Sequence, residues 1–280
     1  MNHRSILKFT AGLLIAGLSI TGGVARAATD ASEITVWETF LKEAIFKDAN
    51  IIEDKTVIDM NTPYRAEDAA VTPVTITAQF AQTPERYIEK LYLVVDKNPQ
   101  PLVGEFNLTP DMGKADLALR VRIDQYTFIR AIAVLNNGEH HMVANFVKAQ
   151  GGCSDPPQGD LDAAMQRIGK MKFRTVGELL ADGTQVGQFS VSHPNLTGMQ
   201  VNQRNGFTIP EHYVKTVKLT FDGKVIMEAK TGISVSADPS FRFFFKPGHG
   251  GKFKAEVEDS KGNKFAEEFD VSQSAAEQKT

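Results

Sequence analysis

Alternation of apolar and polar residues is the dominant pattern along the chain. In the first half it is clearest at Val74, Ile76, Ala78 and Phe80, each separated by one residue. A period of two is typical of strands that bury one face. The pattern predicts strands over 74–80, 88–95, 117–124, 126–135 and 139–148, with a further candidate over 51–59.

The second half shows the same pattern without repeating the sequence of the first. Strands are predicted over 171–175, 187–191, 217–221, 225–229, 241–246, 253–257 and 265–271. Turn residues that tolerate positive φ separate several of them, as at Asn136-Asn137-Gly138, Asp222-Gly223 and Lys261-Gly262-Asn263. Short strands with turn signals between them favour an all-β protein built from immunoglobulin-like β-sandwiches.

The expected organisation is two β-sandwich domains, over 28–153 and 170–273, joined by a linker over 154–169. One segment near the start has a helical rather than a strand period, which predicts a short N-terminal helix that packs on a sheet and is capped by Asp30 or Ser32. Its apolar face comprises Trp37, Phe40, Leu41, Ala44 and Ile45.

The first 27 residues have the pattern of a signal peptide. A basic start precedes an apolar stretch, and Ala25-Arg26-Ala27 forms a cleavage site of small residues. We therefore expect export, with an uncleaved anchor as the alternative, and we expect residues 274–280 to form a solvated tail. Cleavage removes Arg4, Lys8 and Arg26 but no acidic residue, so the formal net charge changes from −3 to −6. An acidic surface without a Lys/Arg block argues against nucleic acid or an anionic membrane as a partner.

Cys153 is the only cysteine in the 280 residues. It follows Gly151 and Gly152 and precedes Ser154-Asp155-Pro156-Pro157, a composition that predicts an exposed thiol on a flexible tether rather than a core position. Sequence neighbours include no basic residue within four positions, while Asp155 is expected to raise the thiol pKa. The thiol is therefore expected to rely on partner proteins for activation. An incidental linker cysteine is the alternative.

Five histidines fall near predicted turns or strand ends. They are His140, His141, His193, His212 and His249. Adjacent side chains on a strand point to opposite faces, and a metal site needs several ligands that converge. We expect these histidines at the surface or in turns, and we predict neither a metal nor a cofactor.

Two sets of motifs resemble a known pair of proteins. The first half resembles SoxY, a subunit of the carrier in the bacterial Sox sulfur-oxidation system, at Trp37, Thr62-Pro63-Tyr64-Arg65-Ala66-Glu67, Val71-Thr72-Pro73-Val74 and Gly151-Gly152-Cys153. The second half resembles SoxZ, the other subunit, at Ser192-His193-Pro194, Thr197-Gly198, Ile209-Pro210, Asp222-Gly223, 233–239, Phe241-Arg242-Phe243 and 259–263. A single chain of this kind is similar to the quinoprotein dehydrogenase-associated SoxYZ-like carriers.

The resemblance implies a periplasmic carrier that is not itself an enzyme. Cys153 would hold sulfur intermediates covalently, with Gly151 and Gly152 as the hinge of its arm. The implied partners are SoxAX-, SoxB- and SoxCD-like enzymes of thiosulfate-type oxidation, or a quinoprotein dehydrogenase system. SoxY ends in a Gly-Gly-Cys-Gly-Gly arm, whereas here Ser154-Asp155 follow the cysteine and the chain continues. The arm would therefore be a loop tied at both ends.

Two other functions stay open at the level of sequence. A non-covalent binding or assembly module for an exported quinoprotein dehydrogenase would not need Cys153. A thiol-dependent enzyme, such as a peroxidase or a sulfurtransferase, is the third option, although the thiol lacks a basic neighbour in the sequence.

Overall fold

The structure is a computed structural model that describes residues 36–157 and 159–272, in which fifteen strands form two sheets. The predicted signal peptide over 1–27, the caps Asp30 and Ser32, and the tail over 274–280 lie outside the described residues. Strand content dominates both halves, so the prediction of an all-β immunoglobulin-like protein is confirmed.

Eight strands lie in the first half. They are β1 (Ile51–Glu53), β2 (Ile58–Asn61), β3 (Thr72–Ala78), β4 (Ile88–Val95), β5 (Leu102–Leu108), β6 (Leu117–Val121), β7 (Thr127–Leu135) and β8 (His140–Val147). Seven lie in the second half: β9 (Met171–Val176), β10 (Gln185–Val191), β11 (Val214–Phe221), β12 (Lys224–Thr231), β13 (Ser240–Phe245), β14 (Gly251–Asp259) and β15 (Lys264–Val271).

Both sheets run without a break from one half of the chain into the other. The larger sheet has the order β1-β8-β7-β4-β5-β12-β11-β14-β15, and the smaller has the order β2-β3-β6-β13-β10-β9. The halves meet where β5 pairs with β12, from Gly104↔Thr231 to Leu108↔Met227, and where β6 pairs with β13. The two half-sandwiches therefore join edge to edge by backbone hydrogen bonds.

The core is continuous across this junction. One cluster of buried apolar side chains includes residues of both halves, and the Phe106 and Phe241 rings meet with centroids 6.2 Å apart. Phenylalanines of the second half extend the cluster, with Phe173 stacked on Phe253. A fully buried side chain of this size contributes on the order of 1.5–3 kcal/mol to folding. The join between the halves is thus a part of the core.

The N-terminal helical segment packs on the outer face of the larger sheet. It comprises a π-helical turn over Trp37–Leu41 and α1 over Lys42–Phe46. Trp37, Leu41 and Phe46 are buried against β4, β7 and β8, as the predicted packing on a sheet requires. Phe40 and Ala44, which we expected on the apolar face, are exposed instead, Phe40 by 65%. The wider π-helical turn shifts the residue spacing, and Phe46 is buried in their place.

Two strand predictions were wrong in detail. The candidate strand over 51–59 is two strands in different sheets, because the chain crosses between sheets after Glu53 and forms a turn in which Thr56 N donates to Asp54 Oδ1 (3.2 Å). Strand β5 was not predicted, since prolines precede it and Gly104 interrupts its alternation. This missed strand supplies the first half's side of the junction in the larger sheet.

The described part of the segment between the halves contains one helix. This helix, α2 (Leu161–Met165), begins after Asp160, whose Oδ1 accepts hydrogen bonds from Asp162 N (2.8 Å) and Ala163 N (3.3 Å). Aspartate is a favoured residue at this capping position because it satisfies amide groups of the first turn. The helix lies directly after the cysteine-bearing turn.

Candidate functional site

Cys153 lies six residues after the end of β8, and its side chain is completely buried. The expectation of an exposed thiol on a flexible tether was therefore wrong. The reason is that the backbone on both sides of the cysteine is hydrogen-bonded into the fold. Gly151 N donates to Asp124 O and Gly152 N donates to Ile123 O, each at 2.9 Å. The segment 150–157, which we call the cysteine segment, is thus held against the loop that follows β6.

The two glycines have steric roles in this arrangement. Gly151 has a φ of +83°, which residues with a side chain rarely adopt. At Gly152 an added Cβ would collide with the carbonyl of Ala69 and lie 2.8 Å from Ile123 O. The chain can pass between these carbonyls only because residue 152 has no side chain. Their role as a hinge stays a prediction.

A tight turn follows the cysteine. Ser154 N and Asp155 N both donate to Gly151 O at 3.0 Å, and Ser154 Oγ donates to the same oxygen at 3.1 Å. The turn places the side chain of Ser154 in solvent and leaves the cysteine on the inner side. Polar residues after a cysteine therefore do not indicate that the thiol itself is exposed.

The second half of the chain holds the cysteine segment from the other side. Thr197 Oγ1 donates to Cys153 O at 2.6 Å, and Gln200 Nε2 donates to Asp155 O at 2.9 Å. Gln200 Oε1 in turn accepts from Thr197 N at 3.1 Å, which orients the Gln200 side chain. Thr197 belongs to the motif that carried the SoxZ resemblance. That motif now has a physical role, because it clamps the backbone that carries the thiol.

Arg122 also holds the cysteine segment in place, from within the first half. Its Nη1 donates to Gly152 O at 3.0 Å, and its Nη2 lies 3.5 Å from Asn195 O. One buried guanidinium therefore contacts the cysteine segment and the second half together. Sequence analysis did not identify this residue, because it is distant from Cys153 in the chain and adjacent only in space.

Burial makes the thiol weakly acidic in this conformation. The pKa of Cys153 is raised to about 12, first by loss of hydration and then by the negative charge of Asp124, with a smaller contribution from Asp155. Arg122 acts in the opposite direction. Thiolate is the reactive form of cysteine, so in this buried position the sulfur is protonated and shielded near neutral pH. The predicted direction of the effect of Asp155 is confirmed, and the dominant cause, burial, was not foreseen.

Three of the five histidines are buried rather than at the surface, which corrects the prediction. His141 contacts Asp54, with Nδ1 3.0 Å from Oδ1. His193 and His212 form a cluster with Asp259, in which one ligand-type atom of each residue lies within 4.8 Å of the others. His212 Nε2 is 2.8 Å from Asp259 Oδ2, whereas His193 Nε2 is 3.7 Å from it and has no hydrogen-bond partner among the described residues.

Hydrogen bonds already engage the lone pairs of this cluster. His193 Nδ1 accepts from Asn195 N at 3.1 Å, so the neutral ring carries its proton on Nε2. Asp259 Oδ2 accepts from Asn263 Nδ2, and Oδ1 accepts from the amides of Lys261 and Asn263. A metal at His193 Nε2 would have to displace that proton. The geometry therefore supports a hydrogen-bonded cluster that fixes the loop before Thr197, and the prediction of no metal stays a prediction.

The burial of this cluster perturbs its titration. Burial first, then the neighbouring His212, lowers the pKa of His193 to about 4. Burial opposes ionisation of Asp259, but hydrogen bonds from Asn263, His212 and Lys261 outweigh it and lower the pKa of that carboxyl to about 2. At neutral pH the cluster therefore contains an ionised carboxylate beside a neutral His193.

None of the helices in residues 36–157 and 159–272 is both long enough and apolar enough to span a bilayer.

Comparison with known proteins divides the chain in two. The family model of the sulfur oxidation protein SoxY matches residues 42–153, and that of the sulphur oxidation protein SoxZ matches residues 169–270. No curated protein matches the chain. The solved structure of the sulfur carrier protein SoxY from Chlorobium limicola f thiosulfatophilum is 22% identical over 42% of this chain and 98% of that chain, with a TM-score of 0.35. A superoxide reductase (neelaredoxin) from Ignicoccus hospitalis is 13% identical over 33% of this chain and 79% of that chain, with a TM-score of 0.29.

The two family matches together cover most of the chain, and they occur in the order that the motifs had suggested. TM-scores this low do not establish a shared fold, so the assignment depends on the family models. The chain therefore belongs to the SoxYZ family of sulfur-oxidation carriers, with its SoxY and SoxZ domains fused in tandem in one polypeptide.

Proposed function

We propose that this carrier holds sulfur intermediates covalently on Cys153 and passes them between enzymes in the periplasm. One observation carries the proposal: the SoxY match ends at residue 153, at the only cysteine of the chain. Joining the thiol to thiosulfate forms one S–S bond and releases two electrons and one proton. A partner oxidoreductase, rather than this chain, accepts those electrons. SoxAX-, SoxB- and SoxCD-like enzymes are the partners we propose.

A buried thiol is compatible with this function if the closed conformation is one of two states. The contacts between side chains and the backbone of the cysteine segment are few, chiefly those of Arg122, Thr197 and Gln200. A typical hydrogen bond contributes only about 0.5–1.5 kcal/mol net, so local opening of the segment requires a few kcal/mol. The open state presents Cys153 to a partner enzyme, and the closed state protects the cargo from water and stray thiols.

The experiment is an intact mass measurement of protein purified from the periplasm, with and without reductant. We expect a mass increase that reductant removes and that Cys153→Ala abolishes. Export is tested in the same experiment, since cleavage after Ala27 predicts the mass of a chain that begins at residue 28. An unmodified cysteine under sulfur-oxidising conditions, together with unchanged sulfur-dependent growth of the Cys153→Ala strain, would contradict covalent carriage.

Burial of Cys153 also favours a second candidate, a non-covalent binding or assembly module for an exported quinoprotein dehydrogenase. Such a module needs no reactive thiol, and its contacts would lie on exposed strand faces. Capture of the dehydrogenase that is unaffected by Cys153→Ser, combined with the absence of any adduct, is the result that supports this candidate over covalent carriage.

A further inference from the structure

A pocket of about 190 Å³ lies beside the cysteine segment, where the two halves of the chain meet. Pro156 and Pro157 of the segment form one wall, Ala70 and Val71 of the first half form another, and Pro194 of the second half closes it. This volume is far above the roughly 10–15 Å³ that a single water molecule requires. The pocket can hold a small molecule together with part of its hydration shell.

Three arginines line this pocket: Arg120, Arg122 and Arg167. Asp238 is the one acidic residue in the lining, and its Oδ1 accepts a hydrogen bond from His193 N at 3.0 Å. Arg120 Nη2 lies 3.4 Å from the backbone carbonyl of Asp238. The lining residues therefore have an excess of two positive charges.

Arg122 is the buried cation of the set, with 4% of its surface exposed. Among the described residues its Nε has no hydrogen-bond partner, and its Nη1 and Nη2 face the neutral carbonyls of Gly152 and Asn195. Asp155 and Asp68 act on it through space, but in the described part of the chain it forms no ion pair within 4.0 Å. Burial lowers its pKa, which reflects the loss of hydration. A buried charge is normally paired, so this guanidinium lacks the anion that its environment favours.

We propose that the pocket binds a small tetrahedral oxyanion of the sulfonate or sulfate type, with Arg122 at its base and Arg120 and Arg167 at its rim. A planar guanidinium donates several N–H groups in a fixed geometry and suits such oxygens better than an ammonium group does. Under the proposed function, on which this assignment rests, the bound group is the anionic end of a cargo attached to Cys153. Arg122 contacts both the pocket and the cysteine segment, so it is placed to sense a loaded thiol.

Anion binding itself is testable without any cargo. Titration calorimetry of the reduced full chain uses sodium sulfate and sodium thiosulfate as probes, with sodium chloride at matched ionic strength as the reference. We expect saturable binding at one site. Arg122→Gln should weaken it about tenfold or more, the loss expected for one charge-assisted contact. Arg86→Gln is the matched control, because Arg86 is exposed and stacks on Phe80 in the first half, outside the lining of the pocket.

A second variant keeps the proposal testable if Arg122→Gln fails to fold. Arg167→Glu changes an exposed side chain at the rim and should reduce sulfate affinity while preserving the melting temperature. The absence of saturable binding by the wild-type chain, or binding that is unchanged in both variants, overturns the proposal.

The link to cargo is tested by loading the thiol with tetrathionate. The Cys153 thiolate attacks one of the two inner sulfurs, the central S–S bond breaks, and thiosulfate leaves with its electron pair. The Cys153 sulfur then carries an –S–SO₃⁻ group, and no external oxidant or reductant is needed. We expect the loaded protein to lose sulfate binding, because its own sulfonate occupies the pocket. Sulfate binding that is equal in loaded and reduced protein overturns this link.

The outcomes separate this proposal from the proposed function. In one outcome the Cys153→Ala variant binds sulfate, the binding depends on Arg122, and protein from the periplasm carries no adduct. This outcome supports the oxyanion pocket and contradicts covalent carriage. A reversible adduct on protein whose pocket binds no sulfate supports carriage and overturns the pocket.

Discussion

Thr197 Oγ1 donates a 2.6 Å hydrogen bond to the backbone carbonyl of Cys153, across 44 positions of sequence. This bond joins the SoxZ half to the residue at which the SoxY match ends. Together with the Gln200–Asp155 contact it closes the cysteine segment over the thiol. The backbone that carries the thiol is therefore held in part by residues of the other half.

Thr197→Val should open the cysteine segment. Loss of the hydroxyl leaves the Cys153 carbonyl without this partner. It lowers the stability of the closed conformation of the cysteine segment by about 1–3 kcal/mol. Labelling of Cys153 by a maleimide, followed by mass spectrometry under native conditions, should accelerate by about tenfold or more, since 1.4 kcal/mol is a factor of ten.

The control for this variant is Thr231→Val. Thr231 Oγ1 donates a hydrogen bond of the same length, 2.6 Å, to Val214 O inside the second half. It should lower the melting temperature similarly without accelerating labelling. Equal labelling rates in the two variants would show that Thr197 does not gate the thiol.

Gly152→Ala should also expose Cys153. The new Cβ would collide with the carbonyl of Ala69, which belongs to the backbone and cannot rotate away. Overpacking of this kind costs about 1–3 kcal/mol, and displacement of the cysteine segment relieves it. Faster maleimide labelling and a lower melting temperature are the expected results.

Gly223→Ala is the comparison for that substitution. Gly223 has a φ of +78° in the β11–β12 hairpin, with no atom within 4 Å of an added Cβ. The variant incurs backbone strain of roughly 1–2 kcal/mol at a distant position. Destabilisation without faster labelling is expected there, and the opposite pattern would contradict the steric role assigned to Gly152.

Stability should fall as the pH decreases from about 6.5 to about 4. His193 has its pKa lowered to about 4, so in this window the unfolded chain binds a proton that the folded chain does not. The contribution of neutral His193 to the free energy of unfolding is fully present above pH 6.5. Below that pH it decreases by up to about 1.4 kcal/mol per pH unit. Urea unfolding across this range should show a shallower dependence for His193→Gln than for wild type.

The control for the pH experiment is His249→Gln, which changes an exposed histidine in the β13–β14 turn. It should retain the wild-type dependence on pH. A His193→Gln curve parallel to wild type would show that another group causes the acid sensitivity.

Stability should fall again on the alkaline side because of Cys153. Its pKa is raised to about 12 in the folded chain from a reference value of 9.0. The contribution of the protonated thiol is present below pH 9 and is lost as the pH rises toward 12. Cys153→Ala should flatten the curve above pH 9 relative to wild type, and identical slopes would contradict a buried thiol.

Most strands were predictable because alternation depends only on local sequence and the burial of one face. The missed strand β5 has prolines before it and Gly104 within it, and it is a strand because β4 and β12 flank it. The candidate site likewise contains residues that the sequence indicates and residues that it does not. Cys153 stands out in the sequence as a single cysteine, whereas Arg122 and Gln200 have no local signal. Arg122 reaches the site through the fold of the first half, and Gln200 reaches it through a contact between the halves.

The sequence by itself determined the strand pattern, the two halves with their family motifs, and the identity of the one thiol, because each depends on residue type and short-range spacing. Only the tertiary structure decided that the halves share both sheets and that Cys153 lies inside. Glycines and polar residues around a cysteine indicate exposure when considered alone. Here the carbonyls of Ala69 and Ile123 confine Gly152, Arg122 binds the Gly152 carbonyl, and Thr197 of the other half binds the carbonyl of Cys153. All four residues that make these contacts are distant from Cys153 in the sequence. Burial is a property of the surrounding atoms, which long-range contacts supply.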